Sequence, residues 1–211
     1  MKITYLAHAS FLIEFGNGTK VLTDPYDASV GYTVFDVEAD IVTTSHKHYD
    51  HAYTNKVKGD FTLIDKEGHY DIKGIKIQGI KAYHDNVLGK QRGENIIFTF
   101  ESRFKVAHLG DLGHTLSTDI SDKLGQVDIL LIPVGGVYTI DAKAAYQVVE
   151  TIKPKIVIPM HYKTEKLKFD LGKLEDFTRY FQYVDITGKD TIEIDGLPNN
   201  RPYVYVLKHR G

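Results

Sequence analysis

Short apolar runs interrupted by polar residues fill the first half of the chain. The segments KITYL (2–6), SFLIEF (10–15) and KVLTD (20–24) have the length and composition of β-strands, and GNGT (16–19) predicts a hairpin turn between the last two. Five further runs share this character: DIVTTS (40–45), DFTLID (60–65), GIKIQGI (74–80), NIIFTFES (95–102) and FKVAHL (104–109). The first half is therefore predicted to be β structure.

The spacing of apolar residues changes in the second half. After the apolar strand candidate VDILLIPV (127–134), residues recur at helical spacing at Ala145, Val148, Val149 and Ile152. Thr139 or Asp141 can cap this helix, and Pro154 ends it. The strand candidate KIVIPM (155–160) follows, so the β-α-β order predicts a sheet covered by helices.

A second helical stripe is predicted beyond this strand, with Asp170 before it: Leu171, Leu174, Phe177, Thr178 and Phe181. Short strands near 190–194 and 202–208 complete the chain. No linker, internal repeat or low-complexity segment divides the sequence. Residues 1–211 are therefore predicted to form a single α/β domain of packed sheets and helices.

Composition narrows the classes of function. The 26 Lys and Arg against 28 Asp and Glu leave no basic surplus, so neither nucleic acid nor a membrane surface is expected as a partner. The absence of cysteine excludes disulfides and thiolate metal ligands. The first residues, MKITYLAHASFLIEF, show neither a signal-peptide pattern nor a membrane span, which favours a cytoplasmic protein.

One segment, TTSHKHYDHAYT (43–54), concentrates groups that bind metals: His46, His48, Asp50 and His51. His46 and His48 are two residues apart, so in extended backbone their side chains project to the same side and could bind one ion. Asp50 and His51 come where the chain must turn, toward a neighbouring ion. A polar loop that happens to be rich in histidine is the alternative, but this density of ligands at a strand end favours a metal site.

The pattern His46-x-His48-x-Asp50-His51 resembles the HxHxDH signature of the metallo-β-lactamase superfamily. Further motifs match in order across nearly the whole chain: LTDP (22–25), KAYHDN (81–86), HLGDLGH (108–114) and IPMHY (158–162). The likeness is greatest to a branch of small metal-dependent hydrolases that includes the ascorbate-phosphate lactonases. It implies a four-layer αββα sandwich, in which helices flank two mixed β-sheets and two metal ions lie at one edge.

The resemblance also implies a ligand set. One ion would be bound by His46, His48 and His84, and the other by Asp50, His51 and His161. Asp111 would bridge the two ions. Imidazole and carboxylate suit Zn²⁺ best, whereas Mn²⁺ and Fe²⁺ remain compatible with the oxygen ligands. Two ions roughly 3.5–4 Å apart can share a water, lower its pKa to about 7 and polarise a carbonyl or phosphoryl oxygen. The hydroxide so formed would be the nucleophile.

Several of these residues also have a plainer interpretation. A histidine such as His84 or His161 at a strand end is commonly a packed residue, and Asp111 between glycines could be a turn aspartate; the order of the motifs favours ligands. Asp24 could merely begin a turn, but an acceptor for the N–H of a ligating histidine is favoured.

Two further histidines and a loop that contains several glycines each have two interpretations. His8 and His114 are equally compatible with structural roles and with donating a proton to the leaving group. In the loop NVLGKQRGEN (86–95), Lys90 and Arg92 could bind a phosphate or carboxylate of the substrate, or belong to a solvated loop tip.

The turn IPVGGVYT (132–139) brings Tyr138 to the end of a strand candidate. Tyr138 could contact substrate there, although an ordinary strand-to-helix turn would look the same.

These features together predict a metal-dependent hydrolase that acts on a small ester, lactone or phosphoester. A phosphodiesterase or nuclease of the same superfamily is one alternative, although the balanced charge offers no track for a phosphate backbone. A non-catalytic metal-binding protein that retains the fold is another, although every implied ligand is present. True lactamases of the superfamily usually carry a cysteine ligand where Asp111 stands here, so hydrolysis of antibiotics is not expected.

Overall fold

Strands dominate the computed structural model, which describes residues 1–199 and 202–211. In chain order they are β1 (Lys2–Ala7), β2 (Ser10–Glu14), β3 (Lys20–Thr23), β4 (Val37–Glu38), β5 (Ile41–Thr43), β6 (Val57–Lys58), β7 (Thr62–Ile64), β8 (Gly68–Ile72), β9 (Ile75–Tyr83), β10 (Glu94–Glu101), β11 (Lys105–His108), β12 (Ile129–Pro133), β13 (Ile156–Met160), β14 (Tyr183–Ile186), β15 (Thr191–Glu193) and β16 (Tyr203–Val206). The helices of these residues are a 3₁₀-helix (Ala28–Val30), α1 (Thr118–Leu124), α2 (Ala142–Ile152) and α3 (Leu174–Thr178).

Most of the strands lie in two mixed sheets. The first sheet has the order β15-β1-β2-β3-β5-β7 and the second β14-β16-β13-β12-β11-β10-β9-β8, while β4 and β6 form a separate pair. In the first sheet β1, β3 and β5 run in one direction. In the second sheet β9, β11, β12 and β13 share a direction. The carboxyl ends of these strands therefore lie at one edge of each sheet.

A hydrophobic core joins the two sheets. Val21 and Ile41 of the first sheet belong to the same buried cluster as Phe98 of the second. Side chains alternate across a strand, so the next residues, Leu22 and Val42, point to the opposite face and lie in a second buried cluster. Burial of each such side chain contributes about 1.5–3 kcal/mol to folding. Both faces of the first sheet are therefore covered.

Helices cover the second sheet. All residues of β12 are buried, as expected of a strand that is covered on both faces. Ile120 and Leu124 of α1 and Val148 and Val149 of α2 pack into the shared core. The predicted α/β sandwich of two mixed sheets is confirmed.

The outer face of the first sheet has a different cover. Its cluster is completed by Val30 of the 3₁₀-helix and by Leu167 and Leu171 of the segment after β13. Gly31 ends the 3₁₀-helix in the left-handed conformation, with φ of 115°. Among the described residues, the cover of this face therefore comes from the 3₁₀-helix and loop segments rather than from an α-helix.

The predictions of the two helices differ in accuracy. The Asp141 carboxylate accepts a hydrogen bond from the Ala144 N–H at 2.8 Å, so Asp141 rather than Thr139 caps α2. The second predicted helix is shorter than expected, because the Gly172 N–H donates to the Gly135 carbonyl at 2.6 Å and keeps Leu171 in a loop. No helix among the described residues is both long enough and apolar enough to cross a membrane.

Candidate metal centre

Polar side chains gather at the edge where the parallel-running strands of the two sheets end. From the first sheet, His8 follows β1, Asp24 follows β3, and the segment 46–51 follows β5. From the second sheet come the residues after β9, β11 and β13: His84, Asp111 and His161. Strand direction therefore brings together side chains that lie up to 153 positions apart in the chain (8 to 161).

Asp111 stands at the middle of this group. Its Oδ2 atom lies 3.2 Å from His84 Nε2, 3.3 Å from His51 Nε2, 3.5 Å from His161 Nε2 and 4.0 Å from His46 Nε2. Burial raises the pKa of the Asp111 carboxyl, but the imidazoles of His161 and His51 outweigh it and hold that pKa well below the ordinary value. Asp111 is therefore a buried carboxylate surrounded by nitrogen ligands.

The first predicted ligand set is assembled. One atom each of His46, His48 and His84 lie within 4.8 Å of one another, as a shared ion requires. His46, His51 and Asp111 form a second group by the same measure. Because His46 belongs to both groups, the two groups of donors adjoin at this side chain.

The second predicted set is assembled differently. His51 and His161 form a group of potential ligands with His8, whose side chain is fully buried, and Asp50 is not a member of that group. The remaining predicted ligand, Asp50, has its Oδ2 atom 3.7 Å from His51 Nε2 and 3.2 Å from His8 Nε2. Burial raises the pKa of Asp50, but the bond to His8 and the charge of His51 hold it well below the ordinary value. Asp50 is thus an ionised carboxylate beside His8 and His51.

The unpaired atoms of the centre fit a metal. His46 Nε2, His51 Nε2 and Asp111 Oδ1 are buried and have no hydrogen-bond partner among the described residues. A buried polar atom without a partner costs about 1–3 kcal/mol, so their convergence without compensation would destabilise the fold. A cation bound to these nitrogen and oxygen atoms removes that cost, and the donor types suit Zn²⁺.

Asp24 fixes two of the imidazoles. Its Oδ2 atom accepts hydrogen bonds from the Ser45 hydroxyl at 2.6 Å and from His51 Nδ1 at 2.9 Å. The Ser45 oxygen, having donated its proton to Asp24, accepts from His46 Nδ1 at 2.9 Å. Both imidazoles therefore carry their proton on Nδ1 when neutral and direct the Nε2 lone pair to the centre.

A second support positions Asp111. The side-chain amide of Asn95 donates to the Leu109 carbonyl at 3.0 Å, and its oxygen accepts from the Asp111 N–H at 2.9 Å. His108, which is fully buried, donates from Nε2 to the Ala9 carbonyl at 2.7 Å and accepts the Gly110 N–H on Nδ1 at 3.2 Å. Side chains thus hold the backbone on both sides of the turn.

Three residues of the centre have strained backbones. His8, Asp24 and His161 have φ of 56°, 39° and 53°, positive values that non-glycine residues rarely adopt. The His161 N–H donates to the His8 carbonyl at 2.9 Å, so this bond joins the ends of β1 and β13 across the two sheets. Such strain persists only where the surroundings impose it, and it is common at functional sites.

The centre opens into a cavity of about 410 Å³, a size that suits small-molecule ligands. Five of the predicted ligands line it: His48, Asp50, His84, Asp111 and His161. The rest of its wall comes from Tyr49, Gln91, Arg92, Tyr138 and Phe169. The cavity thus has a metal-ligand side and a side of aromatic and polar residues.

Only some of the residues predicted to bind the substrate or to act as the acid lie at the cavity. Arg92 and Tyr138 line the cavity, whereas Lys90 is exposed and lies outside its lining. His8 and His114 also lie outside the lining. His114 is engaged with backbone, because its Nδ1 faces the Thr115 carbonyl at 2.8 Å and its Nε2 accepts the Tyr83 N–H at 3.2 Å. The geometry therefore gives neither histidine access to a leaving group.

Some residues of the site were not predicted from the sequence. Ser45 and Asn95 bridge parts of the centre, Phe169 lines the cavity from a distant segment, and Asp85 organises the loop beside it. Ser45 and Asp85 adjoin predicted ligands, so their position was a usable signal. Asn95 and Phe169 lie in otherwise apolar or loop sequence, where nothing local indicates such a role.

Comparison with known proteins agrees with this geometry. Residues 2–161 match the beta-lactamase superfamily domain. A UPF0173 metal-dependent hydrolase of Carboxydothermus hydrogenoformans is 31% identical over 207 residues, which cover 83% of this chain and 91% of that protein. The UPF0173 protein PF0020 of Pyrococcus furiosus is 32% identical, with coverage of 82% and 91%.

A solved structure extends the likeness to the whole chain. The crystal structure of a candidate Zn-dependent hydrolase of the metallo-β-lactamase superfamily from Thermotoga maritima is 40% identical and has a TM-score of 0.83, with 98% of each chain covered. The strand order, the matched domain and these relatives point to one family. The chain therefore belongs to the beta-lactamase superfamily and is a relative of metal-dependent hydrolases.

Proposed function

We propose that this protein is a metal-dependent hydrolase that uses two divalent cations to cleave an ester, lactone or phosphoester bond of a small molecule. The observation that carries the proposal is the position of Asp111, whose Oδ2 atom lies within 4.0 Å of four imidazole Nε2 atoms. A carboxylate so surrounded is placed to bind two ions at once. The names of the relatives, metal-dependent hydrolases, support the same reaction class.

The residues of the centre divide between the two ions. His46, His48 and His84 would hold one, His51, His161 and Asp50 the other, and Asp111 would contact both. Zn²⁺ fits this set of nitrogen and oxygen donors best, and Mn²⁺ and Fe²⁺ are compatible with it. When bound, the cations would lower the pKa of a coordinated water to about 7 and polarise the carbonyl or phosphoryl oxygen of the substrate.

The protein's own groups would orient the reactants. Asp24 and Ser45 hold the imidazoles of His46 and His51 in the tautomer that leaves Nε2 free. Asp50 lines the cavity, and its Oδ1 atom makes no hydrogen bond to the described protein, so it is placed to accept a proton from the attacking water. His8, behind Asp50, would keep that carboxylate in position through its bond to Oδ2.

The size and charge of the cavity favour small substrates over nucleic acid. A nuclease needs a row of cationic residues that follows the phosphate backbone, whereas the lining of this cavity includes one basic residue, Arg92. A small phosphodiester remains within the proposed class, because the same cations would bind a phosphoryl oxygen.

The test combines a metal assay with turnover. Purified protein should bind two equivalents of Zn²⁺ and hydrolyse either 4-nitrophenyl acetate or bis(4-nitrophenyl) phosphate, with loss of turnover by at least about 100-fold in Asp50→Ala. The matched control is Asp60→Ala, which removes an exposed carboxylate and should leave turnover unchanged. Stoichiometric metal without turnover on a broad ester and phosphoester panel would instead support a non-catalytic metal-binding protein.

A further inference from the structure

A buried carboxylate organises the loop that follows His84. Asp85 is 3% exposed, and its Oδ1 atom accepts the N–H groups of Val87 and Gly89 at 2.9 and 2.8 Å. Its Oδ2 atom accepts the N–H groups of Gln91 and Arg92 at 2.9 and 2.8 Å. Four backbone N–H groups of the loop therefore converge on this one carboxylate.

The loop presents a cation to the cavity. Arg92 lines the cavity, and its guanidinium carbon lies 5.4 Å from the centre of the Tyr138 ring. The Tyr138 ring in turn meets Phe169 edge to face, with ring centres 6.1 Å apart. A guanidinium that rests on an aromatic face keeps its donors free at its edge. Arg92 is thus held in place while its hydrogen-bond donors remain available.

The Arg92 guanidinium has no anionic partner in the part of the chain that the structure describes. Within residues 1–199 and 202–211, Arg92 forms no salt bridge, and its guanidinium donates no hydrogen bond. The acidic residues of the cavity lining, Asp50 and Asp111, belong to the metal centre. Two divalent cations would outweigh these two carboxylates, so the loaded cavity would carry positive charge on both of its sides. An anionic ligand is the complement of such a cavity.

We propose that Arg92 binds a carboxylate or phosphate group of the substrate, at a point apart from the bond that is cleaved, and that Asp85 is the residue that positions Arg92. This inference rests on the proposed hydrolase function and names its substrate class: small anionic esters or lactones. The planar guanidinium can donate two parallel hydrogen bonds to either group. The aromatic wall of Tyr138 and Phe169 would contact the apolar part of the same molecule.

The kinetic test uses two esters with one leaving group, neutral 4-nitrophenyl acetate and anionic mono-4-nitrophenyl glutarate, on Zn²⁺-loaded protein. Arg92→Gln should raise the KM for the anionic ester about tenfold or more, because a hydrogen bond to a charged group is lost. The kcat for this ester and the KM for the neutral ester should stay within about twofold. Lys90→Gln is the matched control, since it removes a charge from the same loop outside the cavity.

Asp85→Asn tests the positioning role. The amide can accept two of the four N–H groups but turns its own NH₂ toward the others, so the loop should lose its shape. The expected result is the KM increase of Arg92→Gln, for the anionic ester alone, with metal content unchanged. A fall of kcat for both esters would show that Asp85 acts on the metal centre through its neighbour His84, and would overturn its positioning role.

An equilibrium measurement keeps the inference independent of turnover. Pentanoate and propylphosphonate, which contain no ester bond to cleave, are titrated into Zn²⁺-loaded wild type, Arg92→Gln and Lys90→Gln, and binding is followed by calorimetry. Tighter binding of one of them, weakened about tenfold by Arg92→Gln alone, supports the proposal and identifies the anion as carboxylate or phosphate. Equal affinities of wild type and Arg92→Gln for both ligands overturn it. If no ester is cleaved while Arg92-dependent binding persists, the proposed hydrolysis fails and the anion site stands.

Discussion

At the scale of single residues, the centre depends on side chains that never touch the substrate. Asp24 is completely buried and accepts hydrogen bonds from the Ser45 N–H at 2.7 Å, the Ser45 hydroxyl and His51. A carboxylate in this place sets the tautomer of two imidazoles at once, which an amide cannot do. The metal affinity of the centre is therefore expected to depend on Asp24 although it is not a ligand.

Asp24→Asn should weaken Zn²⁺ binding about 10–100-fold, the usual effect of removing a partner that orients ligating histidines. The asparagine NH₂ would face the Ser45 N–H or His51 Nδ1–H, so one donor would lose its acceptor. Competition with a chromophoric chelator measures the affinity. The matched control, Asp36→Asn, changes an exposed carboxylate and should leave the affinity unchanged; equal affinities of the two variants would contradict the role of Asp24.

The charge state of the metal-free centre is also set by neighbouring residues. Burial lowers the pKa of His51, but Asp111 and Asp24 outweigh it and raise that pKa well above the ordinary value of 6.5. Burial lowers the pKa of His46 and of His161 to about 3. The His51 imidazolium therefore stabilises the metal-free fold fully below pH 6.5, and this contribution is lost as the pH rises through the raised pKa.

Nitrogen-15 NMR of the histidines in the metal-free protein tests this assignment. At pH 7 both ring nitrogens of His51 should carry protons, whereas His46 and His161 should each show one protonated nitrogen. Addition of Zn²⁺ should remove one His51 proton, because a ligating imidazole must offer a lone pair. A neutral His51 at pH 7 in the metal-free protein would show that Asp111 and Asp24 do not act together on it.

At the scale of elements, glycines allow the strand ends to approach one another. A side chain at Gly113 would meet the backbone of His84 and Asp85, which join β9 to the loop of Arg92. A side chain at Gly110 would meet Asn95 and Ser45. The turn after β11 therefore fits between the predicted ligands only because these positions lack a Cβ.

Gly113→Ala should lower the free energy of unfolding by about 1–3 kcal/mol, the cost of inserting a methyl group against fixed backbone. It should also reduce bound Zn²⁺, since His84 would shift away from Asp111. Urea denaturation and metal analysis measure the two effects. Gly16→Ala is the control, because its Cβ would meet nothing within 4 Å; a Gly113→Ala variant as stable as this control would contradict the packing described.

Strands and helices differ in how well the sequence predicts them. Strands with long apolar runs, such as β10 and β12, were predicted within one or two residues, because hydrophobic burial dominates their environment. Helix α1 was missed, since it has seven residues and buries only Ile120 and Leu124, too few positions to show a helical period. Strand β8 was missed because none of its residues is fully buried and it begins at Gly68.

The cluster of candidate ligands could be predicted because chemistry restricts the residues that bind metals. Three histidines and an aspartate within six positions, His46, His48, Asp50 and His51, have few explanations other than a metal site. The structure brings His84, Asp111 and His161 to this cluster, as the resemblance implied. The cavity wall could not be predicted in the same way: Lys90 and Arg92 look alike in the sequence, and only the structure shows that Arg92, and not Lys90, lines the cavity.

At the scale of the whole molecule, the centre joins the two sheets. The segment 46–51 extends from the first sheet, whereas His84, Asp111 and His161 extend from the second. Ions bound between them would act as a cross-link at one edge of the sandwich. Metal binding and the stability of the fold should therefore be coupled.

Removal of metal should lower the melting temperature. At a free Zn²⁺ concentration 1,000 times the dissociation constant, binding adds about 4 kcal/mol, which corresponds to roughly 8–16 °C for a chain of this size. Differential scanning calorimetry before and after chelation measures the change. Asp111→Asn should show a smaller change on chelation than the wild type, because each ion would lose one ligand, and a wild type that is indifferent to chelation would argue against ions between the sheets.

Anomalous diffraction at the zinc edge, from crystals of the Zn²⁺-loaded protein, tests directly whether two ions lie at this edge of the sandwich. Two peaks are expected on either side of Asp111, one among His46, His48 and His84 and the other among Asp50, His51 and His161. A single peak, or peaks beyond reach of the Asp111 carboxylate, in crystals grown with excess Zn²⁺ would contradict a two-ion centre.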